Sequence, residues 1–152
     1  MPPLLVLLAL FVSFSTFLTY YLLTLTFLPL ICMEFTFEKL DVWKKSKDLV
    51  KDVYNLLNQF PNAEKYSLCD QLRRSIISVP SNIAEGSGRP SAKERIRFIE
   101  IAYGSLMESF CQLQLAVELK YISEAAITDL RPKFEELARM LSGFRKALLS
   151  KI

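Results

Sequence analysis

The chain has 152 residues, 51% of them apolar and 23% charged, with a net charge of +3, which fits one domain with a sizeable core and excludes a disordered chain. Four glycines and seven prolines, with no turn-rich stretches at strand spacing, argue against a β-sandwich or barrel. No histidine is present, and Cys32, Cys69 and Cys111 show no C-x-x-C spacing, which argues against a zinc site and against a base-activated thiol.

Residues 1–32 carry no charge, and every charged residue lies beyond them. An apolar run of that length can span a bilayer. A cleaved signal peptide fits less well, because no Lys or Arg opens the run and no A-x-A site follows it. If residues 3–31 do span, Lys39, Lys44, Lys45 and Lys47 would hold the remainder at the cytoplasmic face of the membrane. The other reading is a misplaced start. Met33 opens a sequence suited to a soluble cytoplasmic protein, and the preceding residues need pyrimidines at the second codon position, Tyr20, Tyr21 and Cys32 excepted. Both readings stay open on these grounds.

Beyond the leader, apolar periodicity predicts four helices. The first covers about 38–59, where Val42, Ser46, Leu49, Val53, Leu56 and Phe60 fall on one face, flanked by a second stripe of Trp43, Val50, Tyr54 and Leu57. Phe60-Pro61-Asn62 stops it. The second covers about 63–85, burying Leu68, Leu72, Ile76, Val79 and Ile83, with a kink expected at Pro80. Gly86-Ser87-Gly88-Arg89-Pro90 ends it, with glycine in the place of a left-handed cap.

A capping box, Ser91-Ala92-Lys93-Glu94, opens the third helix, which reaches about Lys120. Ile99, Tyr103, Leu106, Phe110, Leu113 and Val117 line one side of it, and Ile101, Leu115 and Leu119 lie nearly opposite. A helix apolar on two sides must bury both, so the second side predicts contact with another subunit. Ser123 caps the fourth helix, whose inward stripe is Ile127, Leu130, Phe134, Leu137, Leu141, Phe144 and Leu148, with a bend expected at Pro132. Short connections force antiparallel neighbours. The expected fold is therefore an all-α, up-down-up-down four-helix bundle over residues 33–152, with Cys69 and Cys111 as small buried hydrophobes.

Three constellations bear on function. Gln71, Arg74, Ser78, Asn82 and Glu85 form a polar stripe on the second helix, read either as a solvated face or as a network between subunits or around a ligand. Arg73, Arg74, Arg89, Lys93, Arg95 and Arg97 gather positive charge around the second helix and the turn after it, which suits phosphate contacts without base reading. The free amides opening the third helix, with Arg89 and Lys93 close by, could hold a phosphate, or simply form a capped turn. Glu85 and Glu108 would be the carboxylates of a hydrolase or nuclease, but no base or metal ligand accompanies them. No catalytic residue, cofactor or metal is assigned.

The run from Gln71 to Arg89, QLRRSIISVPSNIAEGSGR, then Arg97-Phe98-Ile99, Ile101-Ala102-Tyr103-Gly104-Ser105 and Glu108, closely resembles the 23S rRNA intervening-sequence protein family. Phe37-x-x-Leu40-x-Val42-Trp43 and Phe60-Pro61-x-x-Glu64 match the family's opening. The resemblance covers nearly all of residues 34–152 and has no counterpart of residues 1–32. It implies a bacterial four-helix bundle assembled as a ring-like homopentamer, with Gln71, Ser78, Asn82, Glu85, Gly86, Gly104 and Glu108 as motif positions. The family is similar to the accessory protein of diversity-generating retroelements, which implies RNA or DNA and a reverse transcriptase as possible partners.

The sequence therefore leads to a non-enzymatic oligomeric scaffold, binding the nucleic-acid backbone through Arg73, Arg74, Arg89, Lys93 and Arg97. The alternative is a membrane-anchored cytoplasmic protein-interaction module with no nucleic-acid role.

Overall fold

A computed structural model describes residues 34–150 and 152. Glu34–Ile152 forms a compact unit of its own, and the leader, with its two readings, lies outside the described residues. Among those residues there are four α-helices and no strand: α1 (Asp41–Leu57), α2 (Leu68–Ser87), α3 (Ala92–Glu118) and α4 (Glu124–Leu149). No helix among them is long and apolar enough to cross a membrane.

The predicted stripes supply the core. Val42, Leu49, Val53 and Leu56 of α1 meet Leu72, Ile76, Val79 and Ile83 of α2. Ile99, Leu106 and Leu113 of α3, with Ile127, Phe134, Leu137 and Leu141 of α4, complete it. Removing these side chains from water supplies most of the driving force, at about 1.5–3 kcal/mol for each large one fully buried. Ser46, the one polar residue of the α1 stripe, is buried and donates to the Trp43 carbonyl at 2.7 Å.

Cross-links show that neighbouring helices run in opposite senses. On α2 and α3, Ser75 meets Gln112 while Ser78 meets Ser105. On α3 and α4, Glu100 meets Arg145 while Phe110 packs on Phe134 at 5.1 Å. Between α1 and α4, Lys45 pairs with Glu136 and Asp52 with Lys133.

The ends depart from expectation in three places. Residues 62–66 form a separate 3-10 turn, Asn62–Tyr66, and α2 begins only at Leu68. Ser67, with φ −121° and ψ −104°, breaks the chain between them. Its hydroxyl donates to the Glu64 carboxylate and accepts from the Leu68 amide, so one side chain closes the turn and caps the next helix. The glycine expected as a left-handed cap of α2 is right-handed: Gly88 has φ −84°. The left-handed residue is Lys120, φ 60°, at the end of α3. There Tyr121 N–H reaches the Ala116 carbonyl at 2.9 Å and Lys120 N–H the Val117 carbonyl at 2.8 Å, the bonds of a Schellman cap. Pro80 and Pro132 both lie inside continuous helices. Half of the capping box expected at Ser91 forms: its hydroxyl accepts from Glu94 N–H at 3.2 Å, while the Glu94 carboxylate accepts from that hydroxyl at 2.9 Å and not from the Ser91 amide. Ser123 accepts from Ala126 N–H at 3.3 Å.

Candidate nucleic-acid interface

Gly86, expected in the turn, sits inside the last turns of α2 for reasons of space. A Cβ placed on it would come 2.9 Å from Phe98 Cβ. Only glycine lets α2 and the first turns of α3 approach so closely. Arg89, just past the end of α2, lies over the Phe98 ring with its guanidinium carbon 4.9 Å from the ring centre, and pairs with Glu85. Arg95 Nε donates to the Arg89 carbonyl at 2.7 Å. The α2–α3 turn is thus stiffened by its own basic residues. Lys93 and Arg97, on the first turns of α3, are exposed and have no carboxylate within 4 Å among the described residues.

The other two basic candidates are elsewhere. Gly86 is level with Phe98, whereas Ser75 is level with Gln112. Arg74, twelve positions before Gly86, is therefore about 18 Å along the bundle from the turn, at 1.5 Å per residue. Arg73 leans toward the preceding turn, with Nη1 3.4 Å from the Lys65 carbonyl. The positive charge of one chain forms two groups, Arg73 with Arg74, and Arg89, Lys93, Arg95 and Arg97.

The polar stripe of α2 divides similarly. Gln71, Arg74 and Glu85 are exposed. Ser78 and Asn82 turn toward α3 and join a ladder that runs between the helices. Asn82 Nδ2 donates to Ser78 Oγ at 2.9 Å, and Ser78 and Ser105 hydroxyls are 2.8 Å apart. Ser109 Oγ is 2.8 Å from the Ser105 carbonyl and 2.9 Å from Ser75 Oγ. Ser75 donates to Gln112 Oε1 at 2.8 Å, and Gln112 Nε2 donates to Glu108 at 3.0 Å. Ser75, Ser105, Ser109 and Gln112 are all buried, and none has a role assigned from the sequence, although Ser75 and Ser105 fall within the motif that carries the family resemblance. The available signal was the spacing of 105, 109 and 112 along one edge of an apolar stripe.

Glu85 and Glu108 do not converge. Glu85 is tied to Arg89, Glu108 to Gln112, and about ten residues of α3, or roughly 15 Å, separate their levels. No group of three His, Cys, Asp or Glu suited to a metal occurs among the described residues. Burial pushes the Cys69 thiol above its ordinary pKa, which disfavours the thiolate a nucleophile needs. Cys111, expected to be buried, is exposed on the outer side of α3. Glu64 has its carboxyl pKa lowered by the Ser67 and Tyr121 hydroxyls and the Leu68 amide, and Tyr121 is raised in return by the Glu64 carboxylate. That group ties the turn before α2 to the turn after α3, with Tyr121 also packing on Phe60.

These features define a class: a small helical bundle with a polar ladder in one interior face and a basic turn at one end. The family model described as 23S rRNA-intervening sequence protein matches residues 38–143, well over half the chain, and the chain belongs to that family. It is similar in fold to a protein of unknown function from the S23 ribosomal protein family of Bacteroides thetaiotaomicron VPI-5482. The TM-score is 0.64 at 24% identity, over 69% of this chain and 98% of that one. No curated protein matches it.

Proposed function

We propose that the chain is a non-enzymatic, self-assembling scaffold that binds the nucleic-acid backbone at the α2–α3 turn. The observation that carries the binding reading is the pair Lys93 and Arg97, exposed, without a carboxylate partner among the described residues, and set beside a turn stiffened by Arg89 and Arg95. A rigid turn loses little freedom on binding, and cations without an internal partner give up nothing to meet a phosphate. Assembly would repeat this small site on every subunit. The two charge groups of one chain, about 18 Å apart along the bundle, would then join into a longer surface. The five-subunit ring implied by the family resemblance is one such arrangement.

Fluorescence anisotropy with random-sequence RNA and DNA tests the reading. Affinity should be indifferent to sequence and fall with salt, with a log–log slope of about −0.7 to −0.9 per phosphate contact. Lys93→Ala with Arg97→Ala should flatten that slope more than Arg73→Ala with Arg74→Ala, leaving helicity unchanged. Absence of binding at low salt, where the attraction is strongest, would leave protein-only scaffolding as the function.

A further inference from the structure

Two apolar features of Glu34–Ile152 have no cover within the chain's described residues, one on α3 and the other between α1 and α2. The first is a ridge on α3. Ile101, Leu115 and Leu119 are 42%, 50% and 52% exposed, and with Gly104 and Glu108 they recur at helical spacing along one outer flank. Nothing lies within 4 Å of the position a Gly104 Cβ would take, so the ridge is notched where another backbone could come close. Next to the notch, Glu108 receives one hydrogen bond from Gln112 and no cation.

The second feature is a groove of about 360 Å³ between α1 and α2, lined by Phe37, Trp43, Val50, Ile77, Pro80 and Ala84. Ile77 in its wall is 43% exposed. Lys47 lines the same groove, with its ammonium 4.8 Å from the centre of the Trp43 ring and no carboxylate within 4 Å among the described residues. The positions of α2 that line the groove, 77, 80 and 84, are offset by two from those facing α3, 75, 78 and 82. Two residues turn a helix by roughly 200°. The groove therefore opens on the side of α2 turned away from α3, and the ridge on α3 cannot reach it within one chain.

We infer that the ridge of one copy seats in the groove of the next, with Glu108 of one facing Lys47 of the other. The occupant is a second copy because the two surfaces complement each other in three respects. The ridge is apolar, notched and acidic at its middle; the groove is apolar, concave and basic at its wall. Neither charge has an opposite partner within 4 Å among the described residues of its own chain. A contact between two different surfaces is head-to-tail, so repetition yields a closed ring or an open filament, and no isolated two-fold dimer. This rests on the scaffold reading above and adds which surfaces assemble it.

The test is light scattering on the purified full chain, with circular dichroism to confirm folding. Leu115→Asp on the ridge and Ile77→Asp in the groove each sit on an exposed position, and each should reduce the assembly to monomer. Mixed together, they should form a one-to-one dimer and nothing larger, because each keeps one intact surface. Glu108→Lys and Lys47→Glu should each weaken assembly by about tenfold or more, since like charges then oppose, and the two combined in one chain should restore it. If wild type is monomeric, the scaffold reading itself fails. If wild type assembles while Ile77→Asp leaves it intact, or the charge exchange brings no recovery, the ridge-in-groove contact is wrong and the scaffold reading stands.

Discussion

Along α3, the side packed against α2 carries Ser105, Ser109 and Gln112, all buried, while the outer side carries Ile101, Leu115 and Leu119, all exposed. Polarity on these two flanks is the reverse of what solvent alone would select. A buried hydroxyl costs free energy unless it finds a partner, and here every hydroxyl has one within the ladder. Small polar side chains also let the two helices approach, as Gly86 does against Phe98. The inner flank thus fixes the register of α2 on α3. On the outer flank Leu115 and Leu119 leave half of their surface uncovered by the described residues. One flank is specified by the fold, and the other carries the ridge proposed above as a contact between copies.

The sharpest way to break that distinction is to compare truncations on the two sides at a dilution where the chain is dispersed. Leu106, fully buried, should lose about 2–5 kcal/mol of stability as Leu106→Ala, from lost burial and the cavity left behind. Leu115→Ala should stay within about 0.5 kcal/mol of wild type, as an exposed position does. Urea unfolding reads both. Equal losses from the two would mean the outer flank is part of the folded core.

A smaller effect tests the ladder. Ser75→Ala and Ser109→Ala should each cost about 1 kcal/mol, the net worth of an ordinary hydrogen bond. Because the two hydroxyls are 2.9 Å apart, the double variant should cost less than the sum, by about 0.5 kcal/mol or more. Strict additivity would show two independent serines in place of a coupled row.

The same division explains how far the sequence could be read. Apolar spacing located all four helices and most of the core, because Leu72, Ile76, Val79 and Ile83 obey a period that burial enforces. It missed the burial of Ser75, Ser105, Ser109 and Gln112 in one ladder, because a buried hydroxyl and a solvated one are the same letter. It placed Cys111 inside, although the residue lies on the outer flank among exposed neighbours. The second helix was begun too early since residues 62–66 are helical in a 3-10 sense, and the Ser67 break depends on a contact with Glu64 that periodicity cannot express. The basic residues were legible as a cluster along the chain. Their division into two groups came from the antiparallel pairing of α2 with α3, which sets Arg74 far from Arg97.

The smallest expected effect lies where α3 ends and both flanks stop. Lys120 is held at φ 60° by the two bonds of the Schellman cap. A side chain in that region costs roughly 1–2 kcal/mol through contact of Cβ with the following carbonyl. Glycine removes that contact but gives the unfolded chain more freedom, at about 0.4–1 kcal/mol. Lys120→Gly should therefore stabilise by roughly 0.5 kcal/mol, raising Tm by about 2 °C for a domain of this size. Lys120→Ala keeps the Cβ and should change almost nothing, which separates the backbone effect from loss of the lysine charge. Because the substitution lies outside the ladder, the Ser75–Ser109 coupling should survive it. If glycine instead destabilises, the left-handed turn is held by the Lys120 side chain itself, and the end of α3 is fixed by a contact from lysine to its surroundings and not by the Tyr121 and Lys120 amides.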